Sequence, residues 1–516
     1  MNIFSYSPFG YEGSLVTVEV DLRRGIPAVD IVGLADGAVK ESRERMRSAI
    51  RNSGFEFPLE RVLISLSPAD LKKEGAGFDL PLALAVLDAQ KRADSTEDFP
   101  DSSVLVMGEL ELSGQLRAVR GVHGAAATAM AAGINMCIVS SANADEAREV
   151  PGMKVFAADN LRNAFEALYR EELFVKGSTS DETSQLPEGA VNIGGVYFPK
   201  IEREKDFIDI IGQGRLVRGI QIAAAGGHNL LAYGPPGCGK TLAIQRFSSI
   251  LPLLTLQEAQ SVTRIHSLAG LLAPHMSLMR VSPFRMPHQS ASLEGMCGGG
   301  INCRPGEISL AHNGTLFLDE AAEFRSASLQ MLRVPLESGS ITLSRAGRTT
   351  VYPARFQLLM AANPCPCGNY GVPGRLCLCS ARSVEMYWKK FSGPLLDRVD
   401  IRIPVVSQEE GETVSSEELR KKIAVAVLAQ RTRQGKKNVH LSPQEILDFC
   451  PLDAESSAFL EGESNRRDFS QRAVSGCLKL ARTIADLEGE KDIKLEHLKE
   501  AVSFRQDSGP LTVLEM

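Results

Sequence analysis

The 516-residue chain contains no uninterrupted apolar run near the ~20 residues that a membrane span requires. Its first residues, Met1-Asn-Ile-Phe-Ser5, lack the charged-then-apolar layout of a signal peptide. These absences predict a cytoplasmic protein with no membrane partner. Net positive charge is missing as well. Lysine and arginine number 57 against 63 aspartates and glutamates, a balance of −6, so a nucleic acid would have to be held by a local basic surface. There is neither an internal repeat nor a low-complexity segment. Ten cysteines in a cytoplasmic chain point to thiols or metal ligands before disulfides. At one domain per ~150 residues, the length predicts about three domains.

Apolar and polar residues alternate over Leu15–Leu22, and Ala28–Val32 is a short apolar run, so the chain is expected to open with strands. Helical spacing follows from Ala38 to Ile50. Further strands are expected at Arg61–Leu66, Ser103–Met107 and Asn135–Val139, with helices at Leu80–Ala89 and Val122–Ala132. This pattern predicts a mixed α/β domain over residues 1–175. Residues 176–195 begin with Gly, Ser, Thr, Asp, Glu and Pro and no aromatics, the composition of an exposed linker. A second domain is expected over 196–408. Residues 409–516 show helical periodicity at Leu419–Leu428, Ser442–Phe449, Ala473–Leu487 and Leu495–Phe504, which predicts an all-helical lid.

The chemistry centres on Gly234, Pro235, Pro236, Gly237, Cys238, Gly239, Lys240 and Thr241, which spell G-x-x-x-x-G-K-T directly after the apolar run ending at Tyr233. In that context the glycines let backbone N–H groups close around phosphates, and the helix starting near Lys240 turns its positive end toward them. Lys240 is expected to reach the β- and γ-phosphates and the Thr241 hydroxyl to hold Mg²⁺. Thr315–Glu320 is an apolar run ending in two acids, as a central parallel strand delivers them. Asp319 is assigned to the Mg²⁺ shell and Glu320 to deprotonating the attacking water. Phe356–Asn363 is a second apolar strand, and its terminal amide, Asn363, is a candidate for positioning that water. Arg398 and Arg472 are candidate phosphate-sensing arginines. One from a neighbouring subunit would stabilise γ-phosphate charge, whereas one on the lid would sense nucleotide in its own subunit; spacing alone does not assign these roles.

In this order Gly234–Thr241, Leu316–Glu320, Asn363, Arg398 and Arg472 resemble an AAA+ ATPase of the magnesium-chelatase-like branch. Longer strings, Val32–Ser42, Pro305–His312, Asn363–Gly368 and Ser392–Arg398, are similar to the ComM/YifB family over nearly the whole chain. The resemblance implies an ATP- and Mg²⁺-dependent homohexameric ring that translocates single-stranded and branched DNA. Its implied work is helicase-driven branch migration in homologous recombination and natural transformation, alongside a recombinase. A magnesium-chelatase-type remodelling subunit is the alternative. Gln289 and Val334 depart from the family pattern, where a second His and a Gln are expected. Lys73–Phe78 and Gly108–Gln115 resemble the proteolytic domain of Lon, with Gly77 at the nucleophile position and His123 at the lysine position. A glycine offers no nucleophile. The first domain is therefore expected to be Lon-like without peptidase activity, serving ring assembly or DNA contact.

Two further stretches carry chemistry of their own. Cys365, Cys367, Cys377 and Cys379 form two C-x-C pairs around a Gly/Pro-rich turn, and four thiolates make a closed, structural zinc site. Reduced structural cysteines are the alternative. Ile341–Val351 reads as a hairpin with Arg345 and Arg348 at its tip; the resemblance places it at the ring's pore, gripping DNA phosphates without reading bases. Pro283–Arg285 and the glycine-rich Cys297–Ile301 are expected to form a second mobile insertion.

Overall fold

Alternating burial along Ser14–Arg23 and Arg61–Ser67 gives two long strands that pair antiparallel, each with one face on the core. They belong to a computed structural model that describes residues 2–69, 71, 73, 75–94, 102–177, 186–272, 278–300, 303–345, 348–370, 374–406 and 413–505. In the first domain an eight-stranded mixed sheet runs in the order 175–176, 154–158, 136–140, 103–107, 2–7, 14–23, 61–67 and 29–32. Helices Gly37–Asn52, Asp79–Asp94 and Val122–Ala131 cover it. The first helix starts because the Asp36 carboxylate accepts from the Val39 N–H at 2.8 Å. Helix Asp79–Asp94 runs past the expected Ala89, since the polar residues at its end still suit a helix facing water.

The expected linker is shorter than its composition implied. Val191–Ile193 pairs antiparallel with Val196–Phe198 across a Gly194-Gly195 turn, both glycines at positive φ, and Asn192 Oδ1 accepts from the Gly195 N–H at 2.9 Å. Residues 178–185 lie outside the described residues.

The second domain holds a five-stranded, all-parallel sheet in the order Phe284–Arg285, Thr315–Leu318, Gln357–Ala362, Leu230–Tyr233 and Ile401–Pro404. Thr315–Leu318 and Gln357–Ala362 are buried at every position, which is why they read as continuous apolar runs. Phe284–Arg285, expected in a mobile insertion, is the edge strand of this sheet. Arg285 is held there by Glu307 through two hydrogen bonds of 2.7 Å. The glycine-rich segment forms a short ribbon, Gly298–Gly299 against Arg304–Pro305, and Ile301 lies outside the described residues.

Beyond Pro404 the described residues form helices and no strands. The four expected helices are present at Ser416–Gln434, Pro443–Phe449, Gln471–Leu487 and Leu495–Phe504. A fifth, Ala454–Arg467, has no apolar stripe to betray it: among its residues only Ser456 and Leu460 are buried. Its start is fixed by Asp453, whose carboxylate accepts from the Ser456 N–H at 2.7 Å.

The first two domains meet along helix Leu256–Ala269. The Gly121 N–H donates to Ser267 Oγ at 3.0 Å, Ser267 donates to the buried Glu146 carboxylate, and Glu146 also accepts from the His123 N–H at 2.8 Å. Nearby, neither ring nitrogen of buried His123 has a hydrogen-bond partner. Burial, then the Arg264 charge, lowers its pKa from 6.5 to about 4. His312 is similarly lowered to about 4 by burial and by Arg355. Between pH 4 and 6.5 the unfolded chain binds more protons at these rings than the folded one, so their contribution to stability is complete above about 6.5 and is lost as pH falls toward 4. Thermal melts should therefore show a falling midpoint from pH 7 to pH 5. His123→Gln, which removes one of the titrating rings and leaves His312 and His440, should make that slope shallower.

Candidate nucleotide site and four-cysteine knuckle

The Leu230–Tyr233 strand ends in the phosphate loop, and Gly239, at φ +84°, turns the chain into helix Lys240–Gln245. The Lys240 side chain is buried inside the loop and donates to the carbonyls of Gly234 and Pro235, both at 2.7 Å, with Cys238 Sγ 3.6 Å away. Thr241 Oγ1 donates to Asp319 Oδ1 at 3.0 Å, and the same oxygen accepts from the Glu320 N–H at 3.0 Å. A hydroxyl beside a carboxylate is a hard-oxygen pair suited to Mg²⁺, whose remaining ligands are water and phosphate oxygens. Glu320 sits at φ +47°, a left-handed conformation that costs a non-glycine residue about 1–3 kcal/mol. It persists because the fully buried Thr315–Leu318 strand and the following Ala321–Glu323 turn fix both flanks.

These residues line one cleft of 410 Å³, together with Pro236, Gly237, Gly239 and Asn363. The structure thus brings Lys240, Thr241, Asp319, Glu320 and Asn363 together. Gln213 was not foreseen: its amide nitrogen donates to the carbonyls of Cys238 (3.2 Å) and Val406 (2.9 Å), tying the loop to the end of the sheet. Glutamine so far upstream of the motif carries no signal in the sequence.

Arg398 and Arg472 do not line the cleft. Both bind one carboxylate, Glu337: Arg398 pairs with it, and Arg472 Nη2 donates to it at 2.8 Å. Those two hydrogen bonds, from Arg398 first and Arg472 second, hold the Glu337 carboxyl below its ordinary pKa.

Ser340–Arg345 and Arg348–Pro353 form the expected antiparallel hairpin, with Arg345 opposite Arg348. Its Ala346-Gly347 tip lies outside the described residues. Arg345 is exposed, 3.6 Å from Glu294. In the first domain Gly77 lines a 580 Å³ cleft with Asp36, Glu109, Arg120 and Arg304, while His123 is absent from its walls.

The four cysteines converge. Their sulfurs all lie within 4.8 Å of one another, with Cys365–Cys367 at 3.3 Å, Cys367–Cys377 at 3.6 Å and Cys365–Cys377 at 3.7 Å. A tetrahedral site with Zn–S bonds of ~2.3 Å needs sulfurs about 3.8 Å apart, so the donor set fits zinc in number, type and spacing. Within the cluster the Asn369 N–H and the neighbouring thiols lower the Cys367 pKa to about 6, while the Cys377 and Cys379 thiols are raised, so a first negative charge settles on Cys367.

Family models describing magnesium chelatase subunit ChlI match residues 18–143 and 206–413, and one for its C-terminal part matches 413–505. The "Competence protein ComM" of Haemophilus influenzae is 40% identical over 514 residues, covering 98% of this chain and 97% of that protein. The chain belongs to the ComM/YifB family. The "Uncharacterized protein YifB" of Escherichia coli is likewise 40% identical over 510 residues, covering 98% and 96%. A magnesium-chelatase 38 kDa subunit of Acidiphilium rubrum is 27% identical over 184 residues, 31% of this chain and 52% of its own. Membership in this magnesium-chelatase-like AAA+ family suggests an ATPase that uses ATP and Mg²⁺. No helix among the described residues is long and apolar enough to cross a membrane.

The strained Glu320 offers a test that separates stability from chemistry. Glu320→Gly relieves the positive φ and should leave the melting temperature unchanged or raise stability by up to ~1 kcal/mol, while ATP hydrolysis is lost. A clear drop in melting temperature would contradict the assignment of strain.

Proposed function

We propose that the chain is an ATP-driven DNA motor that works in the cytoplasm as a homohexameric ring. The observation that carries this reading is the split of the expected catalytic set: Lys240, Thr241, Asp319, Glu320 and Asn363 share one cleft, whereas Arg398 and Arg472 lie together outside it. A site that lacks its arginines within the subunit suits completion by a neighbour in a ring.

Bound Mg²⁺–ATP supplies the phosphoryl group and the charge that polarises it. Lys240 neutralises phosphate oxygens, Thr241 and Asp319 orient the metal shell, Glu320 accepts a proton from the attacking water and Asn363 holds that water in line. Arg398, with Arg472 beside it, stabilises charge at the adjacent subunit's site. The hairpin bearing Arg345 and Arg348 grips the DNA backbone in the pore, and the Lon-like first domain, without a serine nucleophile, supports ring assembly or DNA contact. The work we assign to the motor is helicase-driven branch migration during homologous recombination and natural transformation, with a recombinase as partner. The knuckle of Cys365, Cys367, Cys377 and Cys379 holds structural zinc, its four sulfurs leaving no open position for water.

Four-way-junction migration with ATP tests this reading. Wild type should migrate junctions; Lys240→Ala should lose nucleotide binding, and Glu320→Gln should bind ATP yet hydrolyse it at least ~100-fold more slowly. Absence of both DNA binding and DNA-stimulated hydrolysis would favour a chelatase-type remodelling subunit. Replacing Arg345 and Arg348 together by Ala should weaken DNA binding and reduce its log–log salt slope by about 2. Metal analysis of the purified protein should find one zinc per chain.

A further inference from the structure

The four-cysteine knuckle is built against the phosphate loop. Its first cysteine lies two residues after Asn363, which lines the nucleotide cleft at the end of the Gln357–Ala362 strand. Cys365 is fully buried, and its carbonyl accepts from the Gly368 N–H at 3.0 Å to close a tight turn. Gly368, at φ +76°, presses so close to the phosphate loop that a Cβ there would lie 2.8 Å from Pro236 Cδ. Pro236 itself lines the cleft.

The returning arm is tied to the same place. After Cys379, Ser380 caps helix Ala381–Lys389. Trp388 on that helix donates its indole N–H to the Pro364 carbonyl at 3.0 Å. The same ring packs edge-on against Tyr233, the last strand residue before the loop, with centroids 5.6 Å apart. The outgoing arm therefore meets the cleft wall at Asn363 and Pro236, and the returning arm is anchored one step behind it, on Pro364 and Tyr233. At the outer end the arms meet at the sulfur cluster, and among the described residues between Cys367 and Cys377 there is no helix or strand.

We propose that this knuckle is a metal-set clamp on the nucleotide cleft: a thiophilic divalent ion such as Zn²⁺ on Cys365, Cys367, Cys377 and Cys379 fixes Pro236 and Asn363 in the positions that receive the triphosphate. Loss of the ion frees the outer end of the knuckle, and the contact between Gly368 and Pro236 no longer has a fixed anvil. The clamp rests on the zinc and nucleotide readings of these two sites.

The test is equilibrium binding of a fluorescent ATP analogue to the full chain, with Mg²⁺ in excess and zinc release followed with a chromogenic chelator. Stripping zinc should weaken nucleotide binding at least ~10-fold with the far-ultraviolet circular dichroism unchanged, and added Zn²⁺ should restore it. Gly368→Ala, which keeps all four thiols, should retain zinc and bind nucleotide more weakly than wild type. A protein that loses its zinc but binds nucleotide within twofold of the untreated sample overturns the clamp alone, as does wild-type affinity in Gly368→Ala. A protein that takes up no zinc overturns the metal reading and the clamp with it. Untreated protein that binds no analogue overturns the nucleotide reading.

Discussion

Strand register in the central parallel sheet is the constraint on which the candidate nucleotide cleft depends. Tyr233 lies opposite Ala362, and Leu318 opposite Met360, so the phosphate loop, Asp319-Glu320 and Asn363 leave the sheet at one edge. A slip of one residue in Gln357–Ala362 would carry Asn363 about 3.3 Å along the strand, beyond hydrogen-bond reach of anything the loop holds. Every side chain of that strand is buried, so the slip would also mispack both faces. Packing in the core and precision at the cleft are thus one property.

Charge outside the cleft is organised by Glu337. Exposed ion pairs contribute little to stability, so the interest of Glu337 lies in what it gathers. Two guanidinium groups that would repel each other stand side by side because one carboxylate accepts from both. Glu337 belongs to the short helix Pro335–Ser338, which runs straight into the hairpin strand Ser340–Arg345. The carboxylate that holds the arginines assigned to an adjacent nucleotide therefore shares one short piece of backbone with the loop assigned to DNA.

Much of this was legible in the sequence where the signal is local. Gly234–Thr241, the acids after Thr315–Leu318 and the two C-x-C pairs are spacing patterns, and the hairpin Ser340–Pro353 alternates as a strand pair should. Long-range partners were not legible. Gln213 reaches the phosphate loop from 25 residues upstream, and Glu146 meets Ser267 across 121 residues. Phe284–Arg285 looked like loop because two residues at a sheet edge carry no periodicity. Helix Ala454–Arg467 was missed because it buries too little to need an apolar stripe. The linker composition hid a ribbon whose turn is two glycines, residues that signal both loops and tight hairpins.

The hairpin has a second root besides Glu337. The Tyr11 N–H donates to Thr350 Oγ1 at 3.1 Å, the Tyr11 ring meets Tyr352 edge-on at 6.0 Å, and the Arg264 guanidinium lies over the Tyr11 ring at 4.5 Å. A loop of the first domain thus grips the returning strand of the hairpin, and an arginine from the ATPase core grips that loop. The first domain is in this sense a fulcrum: a hairpin displaced by a load would turn about Tyr11, and the torque would be shared between two domains that sequence alone had separated by a linker.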